Sequence, residues 1–195
     1  LEEGVRLEKI LIVSGDAGSQ KLTEILTTAG FTAAKIVSSA SEARHVALKA
    51  DYDLVIINMP LSDETGKELA FDVADYTNSA VITLLANGRE EIIGSFGRNK
   101  GIYIITKPIN RKLFLDSVFF VLGSRRKLKK IMQKNTELTK ALDDLKAVSK
   151  AKCLLIANNN ISEEEAHRYI EKQAMNLQLT KRQVAEKIIA VDGMI

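Results

Sequence analysis

The 195-residue chain has one cysteine, Cys153, and only two histidines. A single thiol cannot close an internal disulfide, so a reducing compartment is expected, with Cys153 packed on a helix rather than reactive. His45 and His167 stand alone, no Cys or His cluster has zinc-ligand spacing, and neither a metal nor another cofactor is expected. A nucleophile with an adjacent base and a Gly-rich phosphate loop are also missing, which argues against an enzyme. No stretch approaches the roughly 18 apolar residues of a membrane span. The opening LEEGVRLEK lacks the apolar core of a signal peptide. Together these absences predict a cytoplasmic protein with no membrane partner.

What is present suffices for packed cores. Hydrophobic residues make up 46% and charged residues 27% of the chain, and its length suits a medium domain with an appendage or two small domains. The net charge of +3 conceals an asymmetry: residues 1–120 carry 13 Lys+Arg against 16 Asp+Glu, and residues 121–195 carry 15 against 9. A polyanion partner is therefore expected at the C-terminal end.

The first 120 residues alternate apolar runs with amphipathic ones. Strands are predicted at 9–13, 35–38, 54–58, 81–86 and 102–106, and helices at 20–29, 41–49, 66–76, 90–99 and 111–122. Leu54 to Ile57 is apolar throughout, as in a parallel strand buried on both faces. This alternation predicts a flavodoxin-like (βα)5 sheet, doubly wound and parallel. Its working crevice lies beyond the carboxyl ends of the strands, at Ser14 to Asp16, Asn58, Leu85 to Asn87, and Thr106 to Pro108.

Those tips, with Lys9-Ile-Leu-Ile-Val13, Asp53-Leu-Val-Ile-Ile57, Gly66 and Thr106-Lys107-Pro108, resemble the receiver domain of two-component signalling. The resemblance implies an aspartate phosphoacceptor, an acidic pair for Mg²⁺, a hydroxyl at the end of the fourth strand and a switch aromatic in the fifth. Asn58 stands at the acceptor position, and its amide is a poor nucleophile. Ser14 and Gly15 replace the acidic pair, leaving only Asp16 one position on. Leu85 replaces the hydroxyl, Ile104 occupies the aromatic position with Tyr103 one place early, and Lys107 alone survives. Lys107 is expected to pair with Asp16 or to be solvated. The domain is expected not to take phosphate by the family route; Asp63 or Glu64 in the following loop is the alternative acceptor. The degenerate crevice then reads as a scaffold for dimerisation or for docking a sensor protein, or as a site for a small, anionic ligand.

Residues 125–152 contain neither Pro nor Gly. Leu128, Ile131, Asn135, Leu138, Leu142, Leu145 and Ser149 alternate steps of three and four, a heptad seam that predicts a coiled-coil homodimer. Asn135 falls at an a position, where a polar residue sets register and favours a parallel pair.

The last quarter reads as three helices. The first fades at Asn158, Asn159 and Asn160. Ser162 to Glu165 forms a capping box opening the second, and Thr180 to Gln183 repeats it for the third. The buried sides are Ala166, Tyr169, Ile170, Ala174 and Leu177, then Val184, Ala185, Ile188 and Ile189. The order Ala151-Lys152, Leu154-Leu155, the acidic cap, Ala166, Ala174-Met175 and Val184-Ala185-Glu186 resembles the ANTAR domain, a three-helix RNA-binding module at the end of antiterminator response regulators. That resemblance implies binding to hairpins in leader RNA and transcription antitermination. Removing the apolar faces leaves Lys152, Arg168, Lys172, Lys181 and Arg182 as the candidate RNA-binding patch. Tyr169 is the only aromatic past residue 122, so base stacking would use Arg planes or Met175. The alternatives are a dimeric DNA-binding transcription regulator and a protein-interaction adaptor.

The expected organisation is α/β followed by all-α: a receiver-like domain at 1–122, a coiled-coil linker helix at 123–150 and a helical domain at 151–195.

Overall fold

The computed structural model describes residues 8–31 and 34–191; the side chains of Asp16, Ala34 and Phe96 lie outside the described residues. The chain divides into two compact units, Leu1–Leu128 and Lys129–Ile195.

The first unit is built on a five-stranded parallel sheet of order β2-β1-β3-β4-β5. Its strands are β1 (Ile10–Val13), β2 (Ala34–Val37), β3 (Leu54–Asn58), β4 (Ala80–Ala86) and β5 (Ile102–Lys107). The helices are α1 (Asp16–Thr28), α2 (Ala40–Lys49), α3 (Lys67–Tyr76), α4 (Gly94–Asn99) and α5, which begins at Arg111. Side chains alternate across the strands and so sort into two cores. Leu11, Val13, Val55 and Ile57 pack with Ala40, Ala43 and Ala47 of α2 and Leu69, Ala70 and Val73 of α3. Ile10, Ile12, Leu54 and Ile56 face the other way, onto Leu22 and Leu26 of α1 and Phe114, Val118 and Leu122 of α5. The small alanines of α2 permit close approach to the sheet. Phe114, fully buried, fills a volume whose truncation to Ala costs about 3–5 kcal/mol.

Two predicted helices differ: α1 begins at Asp16, ahead of the predicted start at residue 20, and the helix predicted at 90–99 is broken. Residues 90–99 split into a 3-10 turn, Glu90–Ile92, and the short α4, separated near Gly94, whose φ of +61° is incompatible with a continuous helix.

Helix α5 runs unbroken from Arg111 to Asn159, so the last helix of the receiver fold continues straight into the linker. Gly123 and Ser124 lower helix propensity without breaking the hydrogen-bond ladder. Just past them, Arg125 holds the helix to the base of the sheet. Its guanidinium pairs with Asp53 and donates to the carbonyls of Asn78 (2.6 Å) and Tyr52 (3.1 Å). The other Asp53 oxygen accepts the Lys9 amide at 2.9 Å, so the carboxylate is satisfied on both sides.

In the second unit, the end of α5 packs with α6 (Glu163–Leu177) and α7 (Lys181–Ala190). Both predicted capping boxes are formed: Ser162 with Glu165, and Thr180 with Gln183. Asn160 follows α5 at φ +51°, consistent with the predicted helix end. The core is Ala151, Leu155, Ala166, Ile170, Val184, Ala185 and Ile188, with Tyr169, Ala174 and Ile189 partly buried against it. Ile161 and Leu179, each just before an N-cap, join the cluster that holds Ala166 and Val184, as a hydrophobic staple requires. Two expectations fail. Leu177 is 50% exposed, because the chain turns at Gln178 with φ +54° and Leu179 takes the inward place. Cys153 is exposed, since the packing face of α5 passes through Ala151 and Leu155 instead.

Candidate functional site

The strand tips of the first unit bring Ser14, Gly15 and Asn58 together at the β1/β3 junction. Ser14, almost fully buried, donates its amide to Val37 O (2.9 Å) and its hydroxyl to Gly15 O (3.1 Å). The hydroxyl oxygen accepts the Asn58 side-chain amide at 2.8 Å. Gly18, in the first turn of α1, closes over this pair: a Cβ there would overlap both the Asn58 amide and the Ser14 hydroxyl. The Asn58 carbonyl oxygen is buried and accepts no hydrogen bond among the described residues.

Lys107 donates to the Met59 carbonyl at 2.7 Å. Burial holds its amine below the ordinary lysine range. The expected pairing of Lys107 with Asp16 involves a side chain outside the described residues. Leu85 points into the core beside Val55 and Ile57, and the buried hydroxyl belongs instead to Thr83, which donates to Tyr103 O at 3.4 Å. Ile104 packs against that same core, while Tyr103 faces outward.

The loop carboxylates are engaged in structure. Asp63 accepts the amides of Ala40 (2.8 Å) and Ser41 (3.0 Å) at the start of α2, which hold it below the usual carboxylate range. Glu64 accepts the Leu69 amide (3.1 Å) and pairs with Arg44 (2.8 Å). Among the described residues no group of three or more His, Cys, Asp or Glu could hold a metal ion. Among the described residues the crevice is a hydrogen-bonded junction with one recessed amine.

In the second unit the candidate cations are mostly paired. Lys152 of α5 reaches Glu163 (2.7 Å), Arg168 reaches Glu164 one turn back (2.5 Å), and Lys181 of α7 reaches Glu171 of α6 (2.6 Å). These cations hold Glu163 and Glu171 below the usual carboxylate range. Arg182 bridges Glu186 on its own helix (2.9 Å) and Asp144 on α5 (2.8 Å), and the two carboxylates raise its already high pKa. Lys181 and Arg182, adjacent in sequence, are thus committed to different helices. Lys172 is exposed and has no ion pair among the described residues. Glu171 also meets His167 one turn back (3.3 Å), so Lys181 lies beside that part of α6. Arg182 is drawn toward α5. Asp144 was missed from the sequence because its partner lies 38 residues away.

No helix among the described residues is long and apolar enough to cross a membrane.

Residues 136–189 match the family model of the ANTAR domain. The match begins on α5, inside the run that periodicity assigns to the linker. Over 172 residues the chain is 22% identical to the transcriptional regulatory protein PdtaR of Mycobacterium tuberculosis, spanning 88% of this chain and 84% of that protein. The first unit has the fold of solved receiver domains. One, from an HD domain-containing protein of Pseudomonas fluorescens Pf-5, aligns at TM-score 0.59 and 20% identity, covering 67% of this chain and 97% of that one. A CheY-like receiver from Methanospirillum hungatei JF-1 aligns at TM-score 0.57 and 24% identity, covering 63% and 98%. The chain therefore joins a receiver-fold domain to a C-terminal stretch that matches the ANTAR domain.

Proposed function

We propose that the chain is an RNA-binding regulator of transcription antitermination, whose C-terminal helices stabilise hairpins in leader transcripts so that a competing terminator does not form. The ANTAR match over residues 136–189, lying on a well-packed helical core, carries this reading. Overall similarity to a transcriptional regulatory protein supports it. Lys152, Arg168, Lys172, Lys181 and Arg182 form the candidate contact surface. Exposed ion pairs are each worth only about 0–1 kcal/mol, so Lys152, Arg168 and Lys181 can exchange a carboxylate for a phosphate at small cost. Lys172 needs no exchange. The receiver-fold domain acts without phosphate, as a scaffold or docking domain, and two chains pair through the α5 seam.

Titrating the protein at fixed salt against a hairpin-pair leader RNA, the same RNA with scrambled loops, and a DNA duplex tests the reading. Preference for the intact hairpins is expected, and Lys172→Ala should weaken it without moving the melting temperature. Equal or tighter binding to the duplex would replace this reading with a DNA-binding one, and no binding to either nucleic acid would leave a protein adaptor.

A further inference from the structure

The positive charge of the C-terminal part does not lie where the family match does. Residues 136–189 carry nine Lys+Arg and eight Asp+Glu, close to neutrality, and four of those nine cations already face acids. Residues 125–134 carry six Lys+Arg and no Asp or Glu. Nearly all of the basic excess is therefore concentrated on ten residues of α5.

Two of the six cations are accounted for. Arg125 holds the helix to Asp53, and Arg126 lies 3.6 Å from Glu8. Lys127, Lys130 and Lys134, spaced by three and four, share one flank of α5. All three are exposed, and no ion pair engages them among the described residues. Lys129 projects from a different side.

Coiled-coil pairing does not explain them. With Leu128 and Asn135 at a positions, Lys127 and Lys134 occupy g, where charged residues commonly bridge to e positions of a partner helix. In a parallel pair the e residues facing them are Met132 and Thr139, neither an acid. Within the helix, Arg126, Lys130 and Lys134 are like charges at i,i+4 spacing, which disfavours the helix. A stripe of like charges that no ion pair engages among the described residues, and that a parallel partner would not neutralise, is open to an external anion.

We propose that Lys127, Lys130 and Lys134 form a second RNA contact, which grips the phosphate backbone of a transcript held by the ANTAR domain. The proposal rests on the RNA reading above and adds a sequence-independent electrostatic site outside the family module. Lysine suits that task, because an ammonium acts on phosphate as a point charge and demands no particular base.

Phosphate contacts are sequence-independent, so a labelled RNA of two stem-loops joined by a single strand is an adequate probe. The full chain is titrated over a range of salt beside the triple variant Lys127→Gln, Lys130→Gln, Lys134→Gln. The control, Lys21→Gln, Lys35→Gln, Lys49→Gln, removes equal charge from the receiver-fold domain. The stripe variant should bind about tenfold or more weakly near 0.1 M salt, with a log K against log salt slope shallower by about 2–3. Its melting temperature and mass in solution should match the parent, and Lys→Arg at the three positions should keep the parent slope. A parent that binds while the stripe variant retains its affinity and slope overturns the stripe alone, as does a control that loses as much as the stripe variant. A parent that binds no RNA overturns the RNA reading and the stripe together, and retention on phosphatidylglycerol vesicles in that case assigns the lysines to lipid headgroups.

Discussion

The side-chain amide of Asn58 donates to the hydroxyl of Ser14 across 2.8 Å, joining the ends of β3 and β1 where a receiver needs an aspartate and an acidic pair. The pair is an amide and a hydroxyl, poor nucleophiles toward phosphorus and poorer ligands for Mg²⁺ than carboxylates. Acetyl phosphate with Mg²⁺ should accordingly leave the intact mass unchanged. Asn58→Asp alone should not restore labelling, because Ser14 and Gly15 supply no carboxylate for the metal. A phosphoryl mass increment mapped to any crevice residue in the parent would refute this.

Gly18 is required by the same junction, since a methyl group there collides with both Asn58 and Ser14. Gly18→Ala should lower stability by about 1–3 kcal/mol in urea denaturation despite the better helix propensity of alanine. In a background of Asn58→Ala and Ser14→Ala the penalty should shrink to a small fraction. An equal penalty in both backgrounds would mean that the collision is not its source.

Asp63 links the loop after β3 to the first turn of α2 through the amides of Ala40 and Ser41, and its pKa is lowered chiefly by those bonds. A carboxylate whose folded pKa lies below its unfolded value contributes stability above the unfolded value, near 3.8, that is lost as pH falls through the folded one. Asp63→Asn should therefore destabilise the first unit at neutral pH and flatten its stability profile below about pH 4. A variant profile parallel to the parent at acid pH would show that Asp63 does not contribute the slope.

Leu128, Ile131, Leu138, Leu142 and Leu145 are all exposed on α5 in the single chain. Pairing through this seam predicts that Leu138→Asp with Leu142→Asp converts a dimer to a monomer, because each charge would be desolvated without a partner. Light scattering after size exclusion reads the mass. A double variant that keeps the dimer mass would place the interface elsewhere.

Local chemistry was legible in the sequence by itself. Strand–helix alternation prescribed the parallel sheet, and Ser162 with Glu165 and Thr180 with Gln183 prescribed two helix starts to the residue, because periodicity and capping act over at most a few neighbouring positions. The missing acids at Ser14 and Asn58 were visible for the same reason: substitution at a known strand tip can be read without coordinates. Contacts between distant residues were decided only by the tertiary structure. Nothing local announces that Arg182 will reach Asp144, that Asp63 will cap α2, that Gly18 will close over Asn58, or that Lys107 will reach the Met59 carbonyl. A long charged side chain has several acids within reach along its own helix, and which one it takes depends on how helices far apart in sequence pack. Packing thus drew four of the five candidate cations into ion pairs, leaving Lys172 outside them among the described residues.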